Sequence, residues 1–130
     1  MSNPSKPIPA HVLIAEPDPD IRRMLAAALR RWGVTGHFAA TGPEAIDLFR
    51  QNADQISLTV LEVKLPQLDG PSVLAAIREI QPGVRFWFVG GTDGQYSRRE
   101  LLDRGAEGLL SKPFDLESLR KIVDPTARPD

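Results

Sequence analysis

Apolar residues along this chain follow two alternating rhythms: short, nearly continuous runs, and longer stretches in which they recur every three or four positions. The runs cover 11–15, 34–39, 58–62, 84–89 and 108–111 and predict five strands, the second weaker and the last short, with the central run suited to burial on both faces. Between them, Ile21, Met24, Leu25, Ala28, Leu29 and Trp32 predict one helical face ending at Gly33, with Met24 and Trp32 in the core. Ala45, Ile46, Leu48 and Phe49 form a second face; Val73, Leu74, Ile77 and Ile80 form a third; Leu116, Leu119, Ile122 and Val123 form the last. A fourth helix around 97–103 is predicted on weaker periodicity. Helix starts are marked by Asp18-Pro19, Thr41-Gly-Pro-Glu44, Pro71 and Asp115: a short oxygen side chain takes up free N–H groups, and proline suits the first helical position.

Five strands alternating with five helices predict a three-layer α/β fold, a flavodoxin-like (βα)5 unit with a five-stranded parallel sheet in the order 2-1-3-4-5. In that order the first and third strands flank the topological switch point. Glu16, Glu62 and the turn after the first strand should therefore meet in one crevice, at the strand ends where such sheets bind ligands. The expected domain covers 11–124. The proline-rich 1–10 segment and 125–130 read as tails, with no output domain after the second.

Composition then narrows the chemistry. A chain of 130 residues holds one domain, and 16 Lys plus Arg against 17 Asp plus Glu leaves no bulk charge to favour nucleic acid or an anionic membrane. Without cysteine there is no disulfide or thiolate site, and the two histidines, His11 and His37, lack metal-ligand spacing. No apolar run is long enough to span a bilayer, and no signal peptide stands at the start, so the expected location is the cytoplasm. The first turn, Glu16-Pro-Asp-Pro-Asp20, places acids and prolines where a nucleotide module needs glycine N–H groups, which disfavours phosphate-carrier and enzyme readings.

Three segments together resemble the receiver domain of bacterial two-component response regulators. They are Val12-Leu-Ile-Ala-Glu-Pro-Asp-Pro-Asp-Ile-Arg22, the stretch from Leu58 to Gly70 with its Leu-Pro-Gln-Leu-Asp-Gly turn, and Gly105-Ala-Glu-Gly-Leu-Leu-Ser-Lys-Pro-Phe114. The resemblance implies an acid pair for Mg²⁺ after the first strand, a phospho-accepting Asp after the third, a Thr or Ser after the fourth and a Lys after the fifth. Here the acid pair aligns with Glu16 and Pro17, with Asp18 one place late, and the acceptor position holds Glu62. Gly90 replaces the hydroxyl, Leu109 replaces the rotating aromatic, and Lys112-Pro113 is kept, with a cis peptide expected.

Glutamate is one methylene longer than aspartate, so its attacking oxygen is displaced by about 1.5 Å, and in-line transfer is intolerant of such shifts. The expectation is a degenerate pseudo-receiver that signals through protein contacts, without catalysis, with Mg²⁺ binding weak or absent and an ion pair in the metal's place. Any residual metal would use Glu16, Asp18 and Glu62. Lys64 is expected to join Lys112 beside the acids or to point into solvent. The alternative is a phosphorylatable but atypical single-domain regulator using Glu16, Asp18 and Asp69. The resemblance also implies a signalling partner (a histidine kinase, phosphotransfer or output protein) on the face of the fourth helix, fifth strand and fifth helix. Tyr96, Arg98, Arg99, Arg104, Leu109, Arg120 and Lys121 lie there, a basic and lightly apolar set suited to a transient contact and to a monomer or weak dimer.

Overall fold

The computed structural model describes residues 11–90 and 94–124, so the two expected tails and Gly91 lie outside the described residues. The chain runs β1 (His11–Ala15), α1 (Pro19–Arg31), β2 (Thr35–Ala39), α2 (Gly42–Gln51), β3 (Ile56–Glu62), α3 (Gly70–Ile80), β4 (Arg85–Val89), α4 (Arg98–Asp103), β5 (Leu109–Leu110) and α5 (Leu116–Val123). All strand pairings are parallel and the order is β2-β1-β3-β4-β5, as the pattern predicts.

Alternation along β1 divides the core between two layers. Val12 and Ile14 pack with Leu25 and Leu29 of α1 and with Leu119, Ile122 and Val123 of α5. Leu13 and Ala15 pack on the opposite face with Phe49 of α2, Val73, Leu74 and Ile77 of α3, and Leu101 of α4. β3 lies at the centre, buried throughout except at Ser57, because it is covered on both faces and paired on both edges. α1, α2 and α5 start on the caps the sequence marks, Asp18, Thr41 and Asp115, and Asp69 and Ser97 cap α3 and α4; each of the five accepts a backbone N–H of the first turn. The weakly periodic α4 is defined by a complete capping box between Ser97 and Glu100.

Two core assignments are corrected. Met24 is 46% exposed and Leu116 is 37% exposed. Met24 lies at the edge of the α1 stripe, where Leu25, Ala28 and Leu29 already fill the contact with the sheet, and Leu116 is the first residue of α5. Both line a shallow groove between α1 and α5 with Ala27, Arg31, Trp32 and Arg120, and Trp32 is only partly buried. Among the described residues no helix is long and apolar enough to cross a membrane.

Candidate functional site

The carboxyl ends of β1 and β3 bring Glu16 and Glu62 together, and the segment after β5 adds Lys112. Glu16 continues the sheet by donating its N–H to Ala39 O at 2.9 Å. The next turn then closes on itself. Asp18 N donates to Glu16 Oε2 at 2.9 Å, Asp18 Oδ1 accepts Asp20 N at 2.8 Å as the α1 cap, and Arg22 donates to the carbonyls of Glu16 and Pro17, both at 2.9 Å. On the β3 side, Gly70 lets α3 begin against the strand end, since a Cβ there would stand 2.6 Å from Glu62 O. The Lys112–Pro113 peptide is cis.

Lys112 Nζ lies 2.6 Å from Glu16 Oε1 and 2.9 Å from Glu62 Oε2. The two acids are only 3% and 8% exposed, whereas the lysine side chain is 32% exposed. Glu62 Oε2 is buried and receives no directed hydrogen bond, so its contact with the ammonium is one of charge and proximity. Burial pushes the Glu62 carboxyl above its ordinary pKa and Glu16 adds to the push, while Lys112 opposes it. Burial also works against the Lys112 charge, yet its pairing with the Glu16 and Glu62 carboxylates holds the ammonium above its ordinary pKa. The other oxygen, Glu62 Oε1, faces Gly90. That glycine has φ +71°, and a Cβ on it would stand 3.1 Å from Oε1.

Residues 12–124 match the model of the response regulator receiver domain. The chain belongs to that family. Among curated proteins it is 33% identical over 114 residues to the sensor kinase CckA of Brucella abortus, covering 88% of this chain and 12% of the kinase. It is 33% identical to the DNA-binding transcriptional regulator NtrC of Azospirillum brasilense, covering 88% of this chain and 24% of that protein. The response regulator MprA of Mycolicibacterium vanbaalenii is 32% identical, with 86% of this chain and 48% of that protein covered. The chain thus spans less than half the length of these relatives. Among solved structures, a receiver domain protein from Clostridium thermocellum superposes with a TM-score of 0.81 at 23% identity, covering 91% and 93% of the two chains. The Francisella response regulator 1452 receiver domain gives 0.78 at 26% identity, covering 88% and 93%.

In this receiver the group that the family resemblance implies for the crevice, Mg²⁺, meets a poor donor set. The ion needs near-octahedral oxygen ligands at about 2.0–2.1 Å. Glu16 and Glu62 both hold the ammonium of Lys112, Pro17 offers only a carbonyl that Arg22 already occupies, and Asp18 caps α1 from an exposed position. The residues present do not fit the metal. Asp69 is likewise engaged, since Oδ1 accepts Ser72 N at 3.0 Å and Oδ2 accepts Tyr96 OH at 2.7 Å.

The sequence-predicted site therefore divides. Glu16, Glu62, Gly90 and Lys112 come together, and Pro113 follows on the cis bond. Pro17 borders a neighbouring cleft with Lys64, Asp69 and Tyr96. Lys64 is exposed there, and of the two lysines expected at the acids it is Lys112 that lies against both Glu16 and Glu62. Leu109 is half-buried on the core under α4. The left-handed backbone of Gly90 and the Tyr96–Asp69 bond had no sequence signal, because both depend on how separate loops abut.

Proposed function

We propose that this receiver is a cytoplasmic signalling module of a two-component or phosphorelay system, one that works through protein–protein contacts with a degenerate phosphorylation site. The reading rests on the position of Glu62. Its added length places one oxygen against Gly90, where the switch hydroxyl would begin, and the other beside Lys112. A phosphoryl group on that carboxylate would need this same space and, at Gly90, would lack the switch hydroxyl, while among the described residues Lys112 is the cation seen against both acids, which weakens the largest stabilising contribution to transfer. The engagement of Asp18 and Asp69 as helix caps argues against the phosphorylatable alternative that would recruit them. Partner contact is assigned to the face of α4, β5 and α5, where Arg98, Arg99 and Lys121 are exposed; the solved structures of similar fold include the receiver domain of Ssk1 with the phosphotransfer protein Ypd1 from Saccharomyces cerevisiae. The test is incubation with acetyl phosphate and Mg²⁺, read by intact mass and by Trp87 fluorescence. The expected result is unmodified protein with unchanged emission. Stoichiometric phosphorylation, or a saturable Mg²⁺-dependent emission change, overturns the proposal.

A further inference from the structure

His11 and His37 stand 26 positions apart in sequence, yet parallel pairing of β1 with β2 makes them diagonal neighbours, His11 beside Thr35 and His37 beside Leu13. His11 Nδ1 lies 2.8 Å from His37 Nε2, and the rings stack with centroids 4.9 Å apart at 30°. Both side chains are half-buried, so solvent reaches them. In this arrangement one ring donates and the other accepts, and a single proton lies between two nitrogens that are both strong metal ligands when neutral. Burial, and then the neighbouring His11, lower the pKa of His37.

The separation itself discriminates between metals. Two imidazole nitrogens at about 2.0–2.1 Å from one ion lie about 2.9 Å apart when they subtend a right angle, and about 3.3 Å apart at the tetrahedral angle. The observed 2.8 Å is the length of the ring-to-ring hydrogen bond, so a small turn of each ring brings both nitrogens onto one ion, with the right-angled sites preferred by Cu²⁺ and Ni²⁺ needing the smaller change in separation. We infer that the His11–His37 pair is a two-nitrogen site for a tetragonal first-row transition-metal ion, which displaces the shared proton and sits to one side of the line between the two nitrogens. No group of three or more His, Cys, Asp or Glu forms a site among the described residues, so water completes the coordination and the ion remains exchangeable. Its structural effect falls on β2, an edge strand paired only with β1. An ion held by both strands fastens that edge. The pair is at the amino-terminal side of the sheet, away from Glu16 and Glu62, so its occupancy is independent of the phosphorylation question.

The test is titration of the intact chain with Ni²⁺ or Cu²⁺ alone, followed by isothermal calorimetry, thermal unfolding and, for Cu²⁺, electron paramagnetic resonance. The expected result is one saturable equivalent, a raised unfolding midpoint from binding to the native state, and hyperfine structure from two nitrogens. His37→Gln and His11→Gln each retain the fold by circular dichroism and each lose the midpoint rise and the two-nitrogen signal. Binding that persists unchanged in the double variant, or a wild-type spectrum without nitrogen hyperfine from two rings, overturns the inference. A variant that fails to fold is replaced by proton NMR of the wild-type protein, where selective broadening of the His11 and His37 ring resonances by substoichiometric Ni²⁺ supports the site and uniform broadening refutes it.

Discussion

Glu62 shows how one methylene can reorganise a site. Its carboxylate spans from Gly90 to Lys112, and the fold tolerates it because Gly90 has no side chain and Lys112 brings a positive charge. The energetic balance is one-sided: removing the lysine leaves two buried acids uncompensated, whereas removing the charge on Glu62 leaves Lys112 with Glu16. Loss of one partner of a fully buried pair costs about 3–5 kcal/mol, and because Lys112 is one-third exposed we expect Lys112→Met to cost about 2 kcal/mol at pH 7.5. The pH dependence has a definite sign. The folded pKa of Glu62 is raised above its ordinary 4.5, so the stability linked to its protonation is complete below that value and is lost as pH rises through the folded pKa. Glu62→Gln should therefore unfold at or above the wild-type temperature at pH 7.5, with the difference moving in favour of the wild type as pH falls toward 4.5. Thermal unfolding across that range checks both variants, and a Glu62→Gln protein much less stable than wild type at pH 7.5 would contradict the account of the buried charge.

At the scale of elements, side chains add ties across the crevice rim to those the backbone makes. Tyr96, in the connection between β4 and α4, donates its hydroxyl to Asp69 at the start of α3, and the Arg104 guanidinium at the end of α4 lies 5.4 Å from the ring centroid. Burial works to raise the Asp69 carboxyl, but the bonds from Tyr96 and Ser72 hold it below the usual range; the same bond raises the Tyr96 phenol. Both shifts favour an ionised Asp69 accepting from a neutral Tyr96. A single hydrogen bond to a charged group contributes about 1.5–3 kcal/mol, and this one is only part-buried, so Tyr96→Phe should cost about 1 kcal/mol. The same change should speed hydrogen exchange in 97–104 while leaving the circular dichroism spectrum unchanged. Equal exchange in both proteins would show that α4 is held by its core contact through Leu101 alone. The sequence places Tyr96 on the partner face; its ring packs partly buried against the core and under the Arg104 guanidinium, and its hydroxyl turns to Asp69 at the crevice.

At the scale of the whole molecule, the departures from the family pattern are coupled, and repairing one should recover little. Gly90→Thr places a β-branched residue at φ +71° with its Cβ against Glu62 Oε1, a strain of about 1–3 kcal/mol. Glu62→Asp removes the clash but not the backbone strain. The two changes should accordingly be less destabilising together than the sum of each alone, which a double-mutant cycle by chemical denaturation measures. Pro17→Asp, Glu62→Asp and Gly90→Thr in combination form the smallest set expected to gain Mg²⁺-dependent labelling by acetyl phosphate. Labelling of any single variant to the same extent would mean that the parts act independently.

The periodicity of apolar residues determined the five strands, the five helices and, through the short parallel crossovers, the sheet order, because burial on two faces leaves few arrangements for such a pattern. The meeting of Glu16 and Glu62 was legible for the same reason, since both stand at carboxyl ends of neighbouring strands, whereas Lys112 was placed beside them by the family resemblance. Pattern did not reach the features that arise where segments distant in sequence touch. Met24 and Leu116 carry the periodicity of buried residues, but Met24 lies at the edge of the α1 apolar stripe and Leu116 at the first position of α5, and both remain exposed. Strand register alone makes neighbours of His11 and His37, and loop packing alone turns Tyr96 onto Asp69 and Gly90 into a left-handed backbone. Sequence spacing encodes which face a side chain shares with its own element; which side chain it meets from another element is decided by register and by the angle at which two loops abut.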